Sequence, residues 1–350
     1  MTGTLDPLVE DAVEHGRVES PWRVGGPQAR TRRRRWLLGV LVVFAAVGAV
    51  FGFPTGREVV TGWVLLLLLA ACGGDWRLWR RVVWRDWAPL IAVLFAYDLL
   101  RGFANEVGGR LFDLPSYRSS VFFPEKTAQA HLTEPIDADR ALFGGTVPTE
   151  WLQERLYDAG QVQWYDVVAF VTYFSHFLVS LALAVALWAL RYSLFRRYLA
   201  SLVTLTVITL VTYTVYPAAP PWMASLNGEL APGIARIAPE TLRAVGGHTV
   251  NSAIQRGEAY SNPVAAIPSL HAAIPMLLLL FCWPVINRWL RGVLVAYSAL
   301  MAWTLVYGGE HYVVDVLIGW AYAAIAVYGV RLVMRSRDRR SGAAPGRTAP

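Results

Sequence analysis

The chain has 350 residues, of which 55% are hydrophobic and only 16% charged, with a mean hydropathy of +0.39. A soluble globular domain carries roughly 25% charged residues, so the composition excludes an ordinary soluble domain and predicts an integral membrane protein. The 32 basic and 25 acidic residues leave a net charge of +7, but the excess is gathered in short flanks of apolar runs. It therefore reads as membrane topology and speaks against a nucleic-acid partner.

In chain order, residues 1–31 are polar and rich in Pro, Gly and charge, and are expected to form a disordered cytoplasmic tail. Arg32-Arg33-Arg34-Arg35 then directly precedes an apolar run, the pattern of a signal anchor with a cytoplasmic N-terminus. A helix needs about 20 apolar residues to cross the hydrocarbon core. Eight stretches qualify: 36–53, 58–73, 87–103, 165–190, 197–216, 270–286, 290–308 and 311–333. The second and sixth are short, and Pro275 and Pro284 are candidate kink sites in the sixth. The expected fold is thus all-α, a polytopic membrane helix bundle of about eight transmembrane helices. A membrane domain fills 32–335, and a second disordered cytoplasmic tail follows over 336–350. Cys72 and Cys282 both lie in apolar runs, which favours buried thiols over a disulfide or a metal site.

Charge orients the spans. Arg77, Arg80, Arg81 and Arg85 follow the second; Arg191, Arg196 and Arg197 separate the fourth and fifth; Arg288 and Arg291 separate the sixth and seventh. Arg331, Arg335, Arg337, Arg339 and Arg340 end the eighth. With eight alternating spans all of these share the side of Arg32 to Arg35. The long 104–164 loop, with nine acidic and five basic residues, falls on the other side. Both termini are then cytoplasmic in a multi-pass protein of the cell membrane. Within the long loop, 148–157 reads as a short amphipathic helix. Thr149 is its cap, and Trp151, Leu152 and Leu156 lie on the membrane surface; it is either a packing helix or a lid.

This orientation brings polar groups to one extracytoplasmic face. Tyr97, Asp98 and Arg101 end the third span, and Tyr216 to Trp222 follow the fifth. His271 opens the sixth, and His311 and Asp315 open the eighth. On a helix, positions i and i+4 share a face, so Asp315 can hold the His311 ring and set which nitrogen is free. Phosphoryl transfer through histidine needs a nucleophile, a proton donor for the leaving oxygen, and fixed positive charge or N–H groups around the phosphate. His311 with Asp315 supplies the first and His271 the second. Helix N-termini at 269–271 and 310–312 offer N–H groups. Arg101 is the first candidate clamp, with Arg236 and Arg256 behind it; Arg101 can also be read as an interfacial side chain that snorkels. His176 is either a structural group or part of the cavity lining. The Pro-Pro-Trp segment reads as an interfacial turn with a Trp anchor. The threonines of the fifth span read as packing contacts. His15, His131 and His248 carry no assigned role.

Pro268-Ser269-Leu270-His271 and Tyr307-Gly308-Gly309-Glu310-His311-Tyr312-Val313-Val314-Asp315 resemble the second and third signatures of the type-2 phosphatidic acid phosphatase superfamily. Pro-Ser-Leu-His, together with the Pro217 to Trp222 segment, is most similar to its inositol phosphorylceramide synthase branch. The resemblance covers about residues 90–333. It implies that His311 forms a phosphohistidine, Asp315 orients it, and His271 protonates the leaving group. Substrate contacts fall to Arg101, Arg236, Tyr97 and Ser269, with no metal and no cofactor. The family's first signature and the Ser-Arg that opens its third are absent; Thr304-Leu305 stand at the latter position. The implied activity is a lipid phosphotransferase of the inositolphosphotransferase kind, taking a phospholipid or other lipid phosphate as donor and a polyol or inositol-containing lipid as acceptor. A lipid phosphate phosphatase using water is the alternative. Outside phosphoryl transfer stand a haem protein with histidines on two helices and a transporter with repeated halves. Both stand behind phosphoryl transfer: the histidines sit at helix mouths, and no repeat is visible.

Overall fold

The computed structural model describes residues 27–51, 57–120, 126–244 and 263–342. Twelve helices are named among them. The first are α1 (Pro27–Phe51), α2 (Arg57–Ala71), α3 (Trp76–Val82) and α4 (Ala88–Leu111), with a π-turn over Val83–Trp87 between the last two. Next come α5 (Thr133–Leu142), α6 (Pro148–Leu156), α7 (Trp164–Leu190) and α8 (Tyr192–Val215). The chain continues through α9 (Pro221–Leu226), α10 (Leu270–Cys282), α11 (Arg288–Tyr307) and α12 (Val313–Gly342). A short hairpin pairs β1 (Ser116–Arg118) with β2 (Thr127–Gln129).

The chain is an all-α, multi-pass membrane protein. Among the described residues α7, α8, α11 and the Val313–Ser336 part of α12 are long and apolar enough to cross a bilayer, and Gly62–Ala71 and α10 are shorter apolar helices. Helices α1 and α4 cover two more expected spans, with several side chains outside the described residues. The sixth expected span is cut short. Helix α10 has 13 residues and ends at Cys282, two residues before Pro284, so it is only about 20 Å long. Helices also extend past the expected tail boundaries, starting at Pro27 and ending at Gly342.

Two compact units can be distinguished. One draws on Met1–Phe95 and Leu181–Leu199, the other on Ala96–Ser180 and Ala200–Pro350. In the first, Asp86 is buried and fully engaged by Arg85 Nε at 3.1 Å, Tyr192 Oη at 2.5 Å and Trp188 Nε1 at 3.1 Å. This is how a carboxylate survives burial. In the second, α10 packs between α11 and α12, with Ala272, Met301, Leu305 and Val316 closing the core. Thr212 of α8 bonds Tyr322 of α12 at 2.8 Å, a packing contact of the kind expected for the threonine face. Both cysteines are free thiols.

The amphipathic helix of the long loop is α6, but it does not lie as expected. Val147, not Thr149, is its N-cap, with Pro148 at the first position. Thr149 and Gln153 are buried, and Leu152 and Leu156 pack on Ala169, Leu305 and Tyr307. Leu152 and Leu156 therefore cover the end of α11, where the Gln153 amide finds backbone partners, while Trp151 stays exposed.

Candidate active site

Every residue of Tyr307-Gly308-Gly309-Glu310-His311 is held by a hydrogen bond from elsewhere in the second unit, two of them from the adjacent Arg236 and Ile237. The Tyr307 carbonyl accepts Gln153 Nε2 at 2.7 Å, and the Gly308 carbonyl accepts Ile237 N–H at 3.3 Å. The Gly309 carbonyl accepts Trp222 N–H at 3.1 Å. The Glu310 carboxylate is forked by Arg236, with Nε at 2.9 Å and Nη2 at 3.3 Å. His311 Nδ1 lies 3.3 Å from Asp315 Oδ2. Gly309 is required at its place: φ is +71°, and a Cβ would stand 2.6 Å from the Ala235 carbonyl.

His311 is not on the helix. It lies two residues before α12, and Asp315 reaches back to it from the first turn. The same Oδ2 accepts Tyr312 N–H at 2.9 Å, as a third-position side chain does in a capping box. Asp315 is fully buried, and its Oδ1 meets no hydrogen-bond donor among the described residues.

The start of α10 is built by contact with α12. Ser269 N–H donates to the Asp315 carbonyl at 3.0 Å, Ser269 Oγ accepts Ala272 N–H at 3.2 Å, and Tyr213 Oη donates to the Pro268 carbonyl at 2.9 Å. Gly319 permits this approach; a Cβ there would be 2.4 Å from the Ser269 oxygen. The result brings the His271 ring to 5.7 Å from that of His311, centroid to centroid. Tyr173 stacks on His271 at 4.7 Å, and His176 meets it edge-on at 4.3 Å. His176 Nδ1 is 2.5 Å from the Tyr173 carbonyl, which makes Nδ1 the protonated nitrogen and leaves Nε2 as an acceptor.

The expected anion sites are only partly present. Val313 and Val314 N–H, the first of α12, are taken by the two oxygens of Asp139 at 3.0 and 2.9 Å. That helix start therefore already holds an anion of the chain itself. Burial raises the Asp139 carboxyl above its ordinary range, and the two N–H bonds pull it back in part. Ser269 is buried, with its hydroxyl used as a cap. Arg236 is four-fifths buried between Glu310 and the Trp222 ring, 4.7 Å away. Trp222 is itself buried on the His311 loop, so it is no interfacial anchor. Tyr97, Asp98 and Arg101 fall on α4, with side chains outside the described residues; Arg256, His15 and His248 lie outside them altogether. His131 does have partners: Glu134 Oε1 at 2.7 Å and the Tyr216 ring, stacked at 4.0 Å.

The arrangement places one imidazole, bonded through Nδ1 to a carboxylate, near a second imidazole, a pairing able to serve nucleophilic attack with proton transfer. Tyr173, Gln153, Asp139 and Glu310 were not singled out as site residues from the sequence. Only Glu310, beside His311 in its motif, carried a local signal; Asp139 is 174 residues from its partner.

The family model described as PAP2 superfamily matches residues 136–329. Phosphoinositol dihydroceramide synthase of Bacteroides thetaiotaomicron is similar to this chain, 34% identical over 120 residues, which is 32% of this chain and 37% of that protein. The match thus spans little more than a third of that relative. No solved structure matches.

Proposed function

This chain belongs to the PAP2 superfamily, and from that premise we propose that it is a membrane lipid phosphotransferase that works through a phosphohistidine on His311. One observation carries the reading: His311, held by Asp315 at 3.3 Å, faces His271 with ring centroids 5.7 Å apart. His311 Nε2 attacks the phosphorus of a lipid phosphodiester, and His271 gives its proton to the departing lipid oxygen. An acceptor hydroxyl then attacks the phosphohistidine and returns its proton to His271, so both rings are restored. As the His311 ring becomes cationic, the buried Asp315 carboxylate, with Oδ2 3.3 Å from Nδ1, stabilises it, which offsets the desolvation of that carboxylate.

No metal is needed in this sequence of steps. Arg236 is the described arginine assigned to the phosphoryl oxygens, since its Glu310 partner adjoins His311. Arg101 and Tyr97 are assigned by sequence position alone, and Ser269 acts by setting the start of α10. The relative's name supports a phosphoinositol group as cargo and a dihydroceramide-type acceptor. Arg288 and Arg291 open α11 at the end opposite Tyr307, away from His271 and His311, which supports an extracytoplasmic site and cytoplasmic termini.

The test uses reconstituted protein, phosphorus-labelled phosphatidylinositol and an alkaline quench. An acid-labile label on His311 is expected, undiminished by chelator, and it should move to ceramide when ceramide is present. Label lost only to water would make the protein a hydrolase. Turnover without any label on His311 would end the reading.

A further inference from the structure

We propose that the face formed by Arg77, Arg80 and Arg81 of α3 and by Trp84 of the π-turn that follows it binds the headgroup of an anionic phospholipid, using residues other than those of the histidine site. The spacing of three and four residues sets the three arginines on one helical face. Together they line a groove of about 510 Å³, a volume within the range of small-molecule sites.

The charge of this groove is uncompensated. Arg77, Arg80 and Arg81 are exposed, and their guanidinium groups meet no carboxylate among the described residues. The two acids nearby are already engaged. Asp75 caps α3 through Arg77 and Leu78 N–H, both at 3.0 Å, and Asp86 is buried under Arg85, Tyr192 and Trp188. Planar guanidinium groups on one face match phosphate oxygens in pairs.

The surroundings favour a lipid over a soluble anion. The groove follows the apolar Gly62–Ala71 segment directly. Trp84 and Trp76 are 74% and 58% exposed, as indoles at headgroup depth are. Trp76 stacks on Trp79, whose indole N–H is tied to the Leu65 carbonyl at 3.0 Å, so the face is fixed against α2. The Gly73-Gly74 turn adds to the same end: Arg32 and Trp36 of α1 lie against it, within 3.2 and 2.9 Å of where side chains would begin.

The full-length protein would be placed in nanodiscs of phosphatidylcholine with or without phosphatidylglycerol, and the lipid retained would be counted by native mass spectrometry. Wild type should retain phosphatidylglycerol selectively. The variant Arg77→Gln/Arg80→Gln/Arg81→Gln should lose on the order of 100-fold in that preference. The charge-matched control Arg191→Gln/Arg196→Gln/Arg288→Gln should keep it. Should the glutamine variant unfold, the variant Arg77→Lys/Arg80→Lys/Arg81→Lys keeps the charge and loses the planar fork, and must bind several-fold more weakly than wild type. Equal retention by wild type and the arginine variants would overturn the proposal. So would an equal loss in the control, or displacement of the lipid by inorganic phosphate at the headgroup's own concentration.

Discussion

The two helix starts that carry the histidines are built in opposite ways. Helix α12 begins under two carboxylates: Asp139 takes the N–H groups of Val313 and Val314, and Asp315 takes that of Tyr312. Helix α10 begins under a neutral hydroxyl, Ser269, which takes only Ala272 N–H. The partial positive charge of a helix start favours an anion. At α12 that place is filled by the chain, so His311 gains orientation there and no anion pocket. At α10 the place is not filled by a carboxylate, and a phosphate between the histidines would sit against the α10 end. One start serves to orient His311, the proposed nucleophile; the other is not closed by a carboxylate.

The sharpest way to break this contrast is to remove the rings themselves. His311→Ala should abolish both turnover and the phosphoenzyme, while His271→Ala should slow turnover by about 10²–10⁴-fold and leave His311 able to be labelled. A quenched-flow assay with labelled donor separates the two; equal behaviour would mean that the starts do not divide the work. Gly319→Ala tests the contact that joins them. A methyl group 2.4 Å from the Ser269 oxygen must push α10 and α12 apart, at roughly 1–3 kcal/mol. It should lower both thermal stability and turnover, with His311 chemically intact.

Smaller effects distinguish the caps. Asp139→Ala strips two acceptors from α12 and should cost about 1–2 kcal/mol of stability, read as a lower melting temperature in detergent. Because it also opens that helix start, inhibition by phosphate or vanadate should not weaken; weaker inhibition would show that anions depend on Asp139 for another reason. Ser269→Ala should cost about 1 kcal/mol, yet Ser269→Thr should restore stability and turnover together. A Thr variant that is stable but slow would give the Ser269 hydroxyl a role beyond the cap.

Much of this was legible in the sequence for identifiable reasons. Runs such as 165–190 are long and uninterrupted, so the membrane helices stand out. The two histidine motifs are contiguous, so the family could be read from them without a fold. What was not legible is non-local. Nothing near Asp139 says that it will cap a helix 174 residues later. Nothing around Gln153 says that its amide will span Ala235 and Tyr307. The same amide reversed the expected burial of α6: an amphipathic pattern marks two faces, but which one is buried depends on what waits beneath it. The short α10 was misjudged because Trp283 to Ile286 continue the apolar run after the helix has ended.

Asp139 also has a bearing on how the molecule comes into being. The carboxylate that caps α12 is made early in synthesis, and the N–H groups it holds are made 174 and 175 residues later. His271 likewise waits for Asp315, whose carbonyl receives Ser269 N–H. No nascent chain that stops before α12 can therefore carry an assembled pair of histidines, however many helices have already entered the bilayer. If the histidine pair is the site, a truncation that removes α12 should leave a protein that inserts but is inert, which a membrane-fraction activity assay would read.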